Sequence, residues 1–451
     1  MRWCSSSPGG GDSPLSGGEK GWPAGGEVSA WVRERTGEGP LRRALPRNFW
    51  TLALCELVWG LGWGASNSLT IVTVFLHRLG LSKTVIGLVP ALLMLGFALP
   101  QLPVAYLTEG LPFKRRVYLW LHLPAVLSWL ALSLLALHMR RPPSPLALAV
   151  FLLLYASYAL SVGAIIPLWY ALIDKLIPPG LRGRFFGLVN LFSAVGAAGG
   201  AALAGAVLRA FPFPVDYAAC FGATFVFFSL GLGTLLLIVE PVPSPSMPRK
   251  PLGGYVRGLW GMLSARREFP LYIASRAVGS LAGMASPFLA VYGVERFHAP
   301  SGTAATFALI LLVSQSASSP LWGLAGERRG FRWAAMVGGA VGVLSLALAL
   351  LAPSLEVYYL AFALNGAAMA SGFVAHSNLV LDLCPYEDKT TFVGLVGTIT
   401  APFVAAAPVV GGKLIDSLSY APAFLISIGL GLAGLYLLWL IPEPRAQGTA
   451  N

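Results

Sequence analysis

The stretch Leu172–Asn190, LIDKLIPPGLRGRFFGLVN, decides the reading of this chain. It is a basic turn between two long apolar runs. Asp174 and Lys175 close one run, Pro178-Pro179-Gly180 breaks the helix, and Arg182 and Arg184 precede the next. It has a counterpart in Asp382–Gly397, DLCPYEDKTTFVGLVG, which repeats the acid, the proline break, the charged turn and Phe-x-Gly-Leu-Val. A turn that recurs 207 residues later (394 − 187) marks two related halves, and an internal repeat fixes the architecture before any single element does.

Composition sets the medium. Of the 451 residues, 56% are hydrophobic and 11% charged, against about 25% charged in a soluble domain. This is a membrane protein. The net charge of +12 would suggest nucleic acid in a soluble chain, but here the excess sits in short loops, where the positive-inside rule accounts for it. No nucleic-acid partner is expected. The cysteines, Cys4, Cys55, Cys220 and Cys384, form no CxxC, so neither a disulfide framework nor a metal site is implied. Arginine outnumbers lysine, and alanine and glycine abound, which points to a GC-rich bacterial genome.

A bilayer needs about 20 apolar residues per helix. Twelve such runs are present, six on each side of a Pro-rich, basic segment. The expected organisation is a disordered cytoplasmic tail at 1–47, a six-helix bundle at 48–239, a cytoplasmic linker at 240–268, a second bundle at 269–442 and a short cytoplasmic tail at 443–451. The tail at 1–47 is rich in Gly, Pro and Ser and lacks the apolar core of a signal peptide; a mis-assigned start codon is the other reading. Within the linker, 255–267 has the pattern of a short helix lying on the membrane surface. With the N-terminal tail on side A, that side carries 23 Lys and Arg and side B carries 7. Side A is therefore read as the cytoplasm, with both termini inside.

The loop after the eighth run reads Gly323-Leu-Ala-Gly-Glu327-Arg328-Arg329-Gly330-Phe331-Arg332, and the loop after the second runs from Ala105 through Glu109 to Lys114, Arg115 and Arg116. The two are offset by 218 residues (332 − 114). Both resemble the loop signature of the major facilitator superfamily, G-x-x-x-(D/E)-(R/K)-x-G-(R/K/x)-(R/K). The second copy matches well. The first departs from it, with Ala105 for the leading Gly and Pro112 for the internal one.

That resemblance implies an all-α fold of twelve transmembrane helices in two pseudo-symmetric six-helix bundles. It also implies a secondary active transporter that moves a small solute by alternating access, monomeric and without a cofactor. It gives the loop charges a task as a cytoplasmic gate. Glu109 would face the start of span 11 and Glu327 the start of span 5 near Arg182 and Arg184. Lys114 or Arg115 would reach Asp174, and Arg328 or Arg332 would reach Asp382, with Gly323 and Gly330 shaping the loop. The plainer alternative is that these charges only fix topology.

Two charges lie inside spans, Glu56 in span 1 and Arg276 in span 7. A charge in hydrocarbon is costly and usually faces a cavity or a partner. Glu56, Gly60, Trp63, Asn67 and Thr70 share one helical face, and Asn365, Met369, Gly372 and His376 form a stripe on span 10. Glu56 is either a proton-coupling carboxylate that meets Arg276 in part of a cycle, or one member of a permanent pair. His376 is either functional or a hydrogen bonder between helices. On span 4, Tyr155, Tyr158 and Trp169 are the pathway candidates. Gly196-x-x-x-Gly200 on span 5 has the spacing that lets helices approach closely.

No enzyme is indicated, for the chain has no P-loop, no HExxH and no GxSxG. The expectation is a proton-coupled secondary transporter of the bacterial inner membrane. Export is favoured because an apolar, aromatic wall suits lipophilic or weakly polar solutes. A non-transporting sensor or scaffold on the same fold is the alternative.

Overall fold

The computed structural model describes residues 39–108, 111–139, 141–243, 268–300, 302–383 and 389–442. Most of the tail at 1–47, the surface segment 255–267, Glu109 and the C-terminal tail lie outside the described residues. In chain order, α1 (Pro40–Ala65) and α2 (Ile71–Arg78) make span 1, and α3 (Lys83–Ala98) with α4 (Gln101–Thr108) makes span 2. Spans 3 to 6 are α5 (Arg115–His138), α6 (Pro145–Leu176), α7 (Pro179–Ala210) and α8 (Val215–Leu235). Span 7 joins α9 (Glu268–Ala282), a 3₁₀ turn (Gly283–Phe288) and α10 (Leu289–Arg296). Spans 8 to 12 are α11 (Thr303–Arg329), α12 (Phe331–Leu351), α13 (Leu355–Leu383), α14 (Lys389–Leu418) and α15 (Tyr420–Trp439). Eleven of these spans are long and apolar enough to cross a membrane. Span 1, diluted by Glu56 and three tryptophans, is the twelfth crossing.

The helix starts follow from local chemistry. Pro40, Pro145 and Pro179 occupy the first helical turn, where the missing N–H costs nothing. Ser144 accepts from Ala147 N at 3.2 Å. Helix α1 begins at Pro40, inside the segment expected to be a tail at 1–47. The Arg47 side chain donates to Leu237 O at 2.8 Å and Asn48 to Val239 O at 2.8 Å, so residues 40–47 are held against the end of span 6 rather than left in solvent.

Spans 1 and 7 are both broken. In span 1, the Asn67 carboxamide oxygen accepts from Leu69 N and Thr70 Oγ1, each at 3.1 Å. That local turn competes with the helix. At 218 residues' distance (286 − 68), Ser68 and Ser286 occupy the two breaks. Ser68 bonds Tyr155 of span 4 at 2.6 Å, and Ser286 donates to Asn365 of span 10 at 3.3 Å. The same offset places positive φ at Gly80 and at His298, just beyond the two spans.

Small residues set the helix contacts. A Cβ on Gly60 or Gly64 would strike the span 5 backbone at Ser193 or Ala197, and one on Gly196 or Gly200 would strike the span 1 backbone at Leu57 or Leu61. The two Gly-x-x-x-Gly pairs thus face each other. Gly200→Leu is expected to abolish recovery of monodisperse protein in size-exclusion chromatography. Gly187→Ala, at a position with nothing within 4 Å, should leave it unchanged.

At the side A end of the first half, Glu240 accepts from Lys114 N at 3.0 Å and Arg115 N at 2.9 Å, capping span 3, and receives Lys175 Nζ at 2.7 Å. The Lys175 and Glu240 side chains are 6% and 2% exposed. Removing one member of such a pair strands the other, at about 3–5 kcal/mol. Glu240→Ala should lower stability by that amount in denaturant or thermal melts, and Lys175→Met in the same background should recover part of it.

Candidate functional site

The two halves meet on side B. Span 2 packs on span 11 and span 5 on span 8. A Cβ on Gly412 would collide with Lys83 O, and one on Gly87 with Pro408 O. On the other pair, Gly205 lies against Ala305 and Gly302 against Arg209. These are all side B ends of their helices. On side A, Cβ positions at Gly187, Gly323 and Gly397 have open space around them. The protein is closed on side B and open on side A.

Polar contacts fasten the closed side. The Asp416 carboxylate of span 11 accepts from Lys83 N and Thr84 N at 2.8 Å each and from Thr84 Oγ1 at 2.6 Å. It is an N-cap for span 2 supplied by the other half, aided by the positive end of the helix dipole. Lys83 Nζ pairs with Glu295 of span 7, lies 3.1 Å from His77 Nδ1, and sits 5.6 Å from the Tyr420 ring centre. His77 Nε2 is 3.3 Å from Glu295. His77 and Glu295 are repeat-equivalent, 218 residues apart (295 − 77). Asp416 is equivalent to Arg209 by the 207-residue offset (416 − 209), and Arg209 packs on Gly302 at the start of span 8. A cation there cannot cap, so the closure is polar on one side of the pseudo-dyad and steric on the other.

None of these five residues, His77, Lys83, Glu295, Asp416 and Tyr420, was singled out by sequence. The signal existed in the 218-residue offset carried past the loop motifs.

The expected cytoplasmic gate lies on the open side. Asp174 is closed by Arg182 of its own half at 2.6 Å, and Arg182 also donates to Asp174 O and Ile177 O. Lys114 and Arg115 serve Glu240 through their backbones rather than reaching out through their side chains to Asp174. Arg115 also donates to Leu236 O at 2.6 Å. Its equivalent Arg332 donates to Leu438 O and Trp439 O, at 3.1 and 2.5 Å. Arg184, Glu327 and Arg328 are exposed. Asp382 ends span 10, Gly323 lies in the last turns of span 8, and Gly330, at φ 94°, forms the sharp turn between spans 8 and 9.

Within the spans, Glu56 and Arg276 are not paired with each other. The Glu56 carboxylate faces the Trp169 indole of span 4 and lies within electrostatic reach of Tyr118 of span 3. The anticipated face of span 1 splits: Gly60 backs onto span 5 and Thr70 is fully buried. Trp63 is 37% exposed and sits edge-on to Trp59, centroids 6.3 Å apart. Asn67 spends its carboxamide oxygen on the helix break. Tyr155 and Tyr158 are buried against Trp129 in the core of the first half, where they do not line an open path. His376 is held by Tyr272 of span 7, whose hydroxyl lies 3.4 Å from Nδ1 and 3.2 Å from the His376 carbonyl. That is the helix-bridging role. Arg276, Asn365, Met369, Gly372 and His376 all line one cavity of about 290 Å³ in the second half.

The family model described as Major Facilitator Superfamily matches residues 52–315 and 271–451. The chain belongs to the major facilitator superfamily. The MFS-type transporter SLC18B1 of Mus musculus is 23% identical over 335 residues, 69% of this chain and 70% of that one. The MFS-type transporter TOXA of Cochliobolus carbonum is 23% identical over 221 residues, which is 48% of this chain but only 37% of the relative. Among solved structures, the nucleoside transporter NupG is 13% identical with a TM-score of 0.69, covering 87% of this chain and 99% of its own. A bacterial homologue of the iron transporter ferroportin in an inward-facing state is 15% identical with a TM-score of 0.66, over 88% and 98%. At such identities the structures testify to the fold.

The side B contacts carry a test. An N-cap is worth about 0.5–2 kcal/mol, or about a 2- to 30-fold shift in an equilibrium. In a protein whose native cysteines are replaced by alanine, a cysteine at the buried position Ala305 should react slowly with a membrane-impermeant thiol reagent. Asp416→Ala should speed that labelling 2- to 30-fold, and unchanged labelling would remove the cap from the closure.

Proposed function

We propose that this member of the superfamily is a secondary transporter that moves a small solute by alternating access, driven by a solute or proton gradient. The observation that supports it most is the asymmetry of closure. Both halves contribute side chains to a polar latch on side B, while side A stands open, as an alternating-access cycle requires of one of its end states. The positive-inside count makes side A the cytoplasm, with both termini inside, in a bacterial inner membrane. The protein acts as a monomer, and its two bundles, 48–239 and 269–442, rock as units about a linker.

Glu56 is the coupling carboxylate in this reading. It is the acid within the first half's spans that has aromatic neighbours and no cation paired to it in the open state. The cytoplasmic gate charges, Glu109, Glu327, Asp174 and Asp382 with their bases, make their contacts in the opposite state, when side A closes. Export is the favoured direction, since the open face presents Trp63 and Trp169 to solutes arriving from the cytoplasm.

Purified protein in liposomes tests this. Glu56→Gln should abolish accumulation driven by an imposed pH gradient and keep counterflow exchange within about twofold of wild type. Accumulation at the wild-type level in that variant removes proton coupling at Glu56. Absence of both activities in the wild type, across anionic, cationic and neutral solutes, removes the transporter reading.

A further inference from the structure

The cavity in the second half deepens the transport reading, on which this inference rests, because it carries a chemical bias. Its walls come from spans 7, 9, 10 and 12 and are built largely of glycine. Its single permanently charged side chain is Arg276, and no Asp or Glu lines it. The Arg276 guanidinium makes no hydrogen bond or ion pair with the described residues. An unpaired guanidinium at membrane depth is costly, and such a residue marks a ligand or ion path.

The surrounding polar groups are spent in a way that leaves donors. Ser275, Ser371 and Ser427 give their hydroxyl protons to Gly434 O, Ala334 O and Ala282 O. Ser286 donates to the Asn365 carboxamide oxygen at 3.3 Å. Asn365 therefore has its acceptor occupied and both carboxamide protons available. The five guanidinium protons and these two form a donor set with no matching acceptor. Gly279, Gly283 and Gly372 keep the approach open, since a Cβ at any of them would stand in empty space. At about 290 Å³, the space is at the small end of ligand pockets.

We infer that this cavity binds the anionic group of the transported solute, a carboxylate or phosphate seated against Arg276 and Asn365. The planar guanidinium fork matches the two oxygens of a carboxylate. The 3₁₀ break of span 7, through Ser286, orients Asn365 for it, so the helix break that lets span 7 move also aims a recognition group. The same chemistry is offered by a free organic acid and by an anionic lipid headgroup.

The test is a thermal melt of the purified protein in a neutral detergent with matched acid and amide pairs: succinate against succinamide, benzoate against benzamide, and inorganic phosphate. A ligand of the folded state raises the melting temperature by mass action. At least one acid should raise it while its amide does not. Charge-assisted hydrogen bonds of this kind make binding about ten- to hundredfold tighter, so Arg276→Gln should weaken it by that factor. Asn365→Asp, which keeps the arginine and replaces the donors with a carboxylate, should do the same. Amides that stabilise as well as acids, or acids whose effect survives both variants, overturn the inference, as does a wild type that no acid and no anionic lipid stabilises. A parallel melt with phosphatidylglycerol separates the sources, for a shift given by the lipid alone assigns the cavity to a headgroup. The melt reads binding without flux. An acid-dependent shift in a protein inactive in liposomes leaves the cavity standing and removes the transporter, whereas flux of a neutral solute does the reverse.

Discussion

Helices in a bilayer gain little from burying apolar side chains against one another, since lipid is as apolar as leucine. What holds them is close backbone approach and the few polar contacts that replace water. The interlocked glycine pairs of spans 1 and 5 show the first, and the side B closure shows the second. Asp416 reaches across the two halves to the end of span 2 where backbone N–H groups lack partners. The same contact requires Gly412 beside Lys83, because only a glycine lets span 11 come near enough. Closure thus depends on a missing side chain and a capping one placed a helical turn apart.

The two halves follow one plan with different chemistry at matching points. The breaks in spans 1 and 7 coincide, and each is tied to the span three further on, by Tyr155 in one half and Asn365 in the other. In the first half the neighbourhood is aromatic and sealed, with Trp129, Tyr155 and Tyr158 packed into the core. In the second it is glycine-lined and open. The repeat keeps the hinge while the walls diverge, so one bundle is solid where the other has room.

Much of this was legible in the sequence. Run lengths and the repeated turn required twelve spans in two halves, and the Asn365 to His376 stripe foretold one wall of the cavity. Face assignment on span 1 failed because helical periodicity does not say which neighbour a stripe meets. Gly60 serves span 5, and Asn67 serves the chain's own break. Glu240 read as the first residue of a linker because its value lies in contacts with residues 65 and 126 positions away. The side B residues were hidden for a like reason. Lys83, Glu295 and Asp416 are ordinary loop-end charges until the fold brings three different helices to one spot.

The cap that Asp416 lends to span 2 ties local secondary structure to global state. While side B is closed, the first turn of α3 has its amides satisfied. Once the halves part, Lys83 N and Thr84 N must turn to water, and the turn is free to fray. The amides of this one turn therefore exchange with solvent at a rate set by how often the whole molecule opens outward. They act as a clock for the transport cycle written into its own backbone.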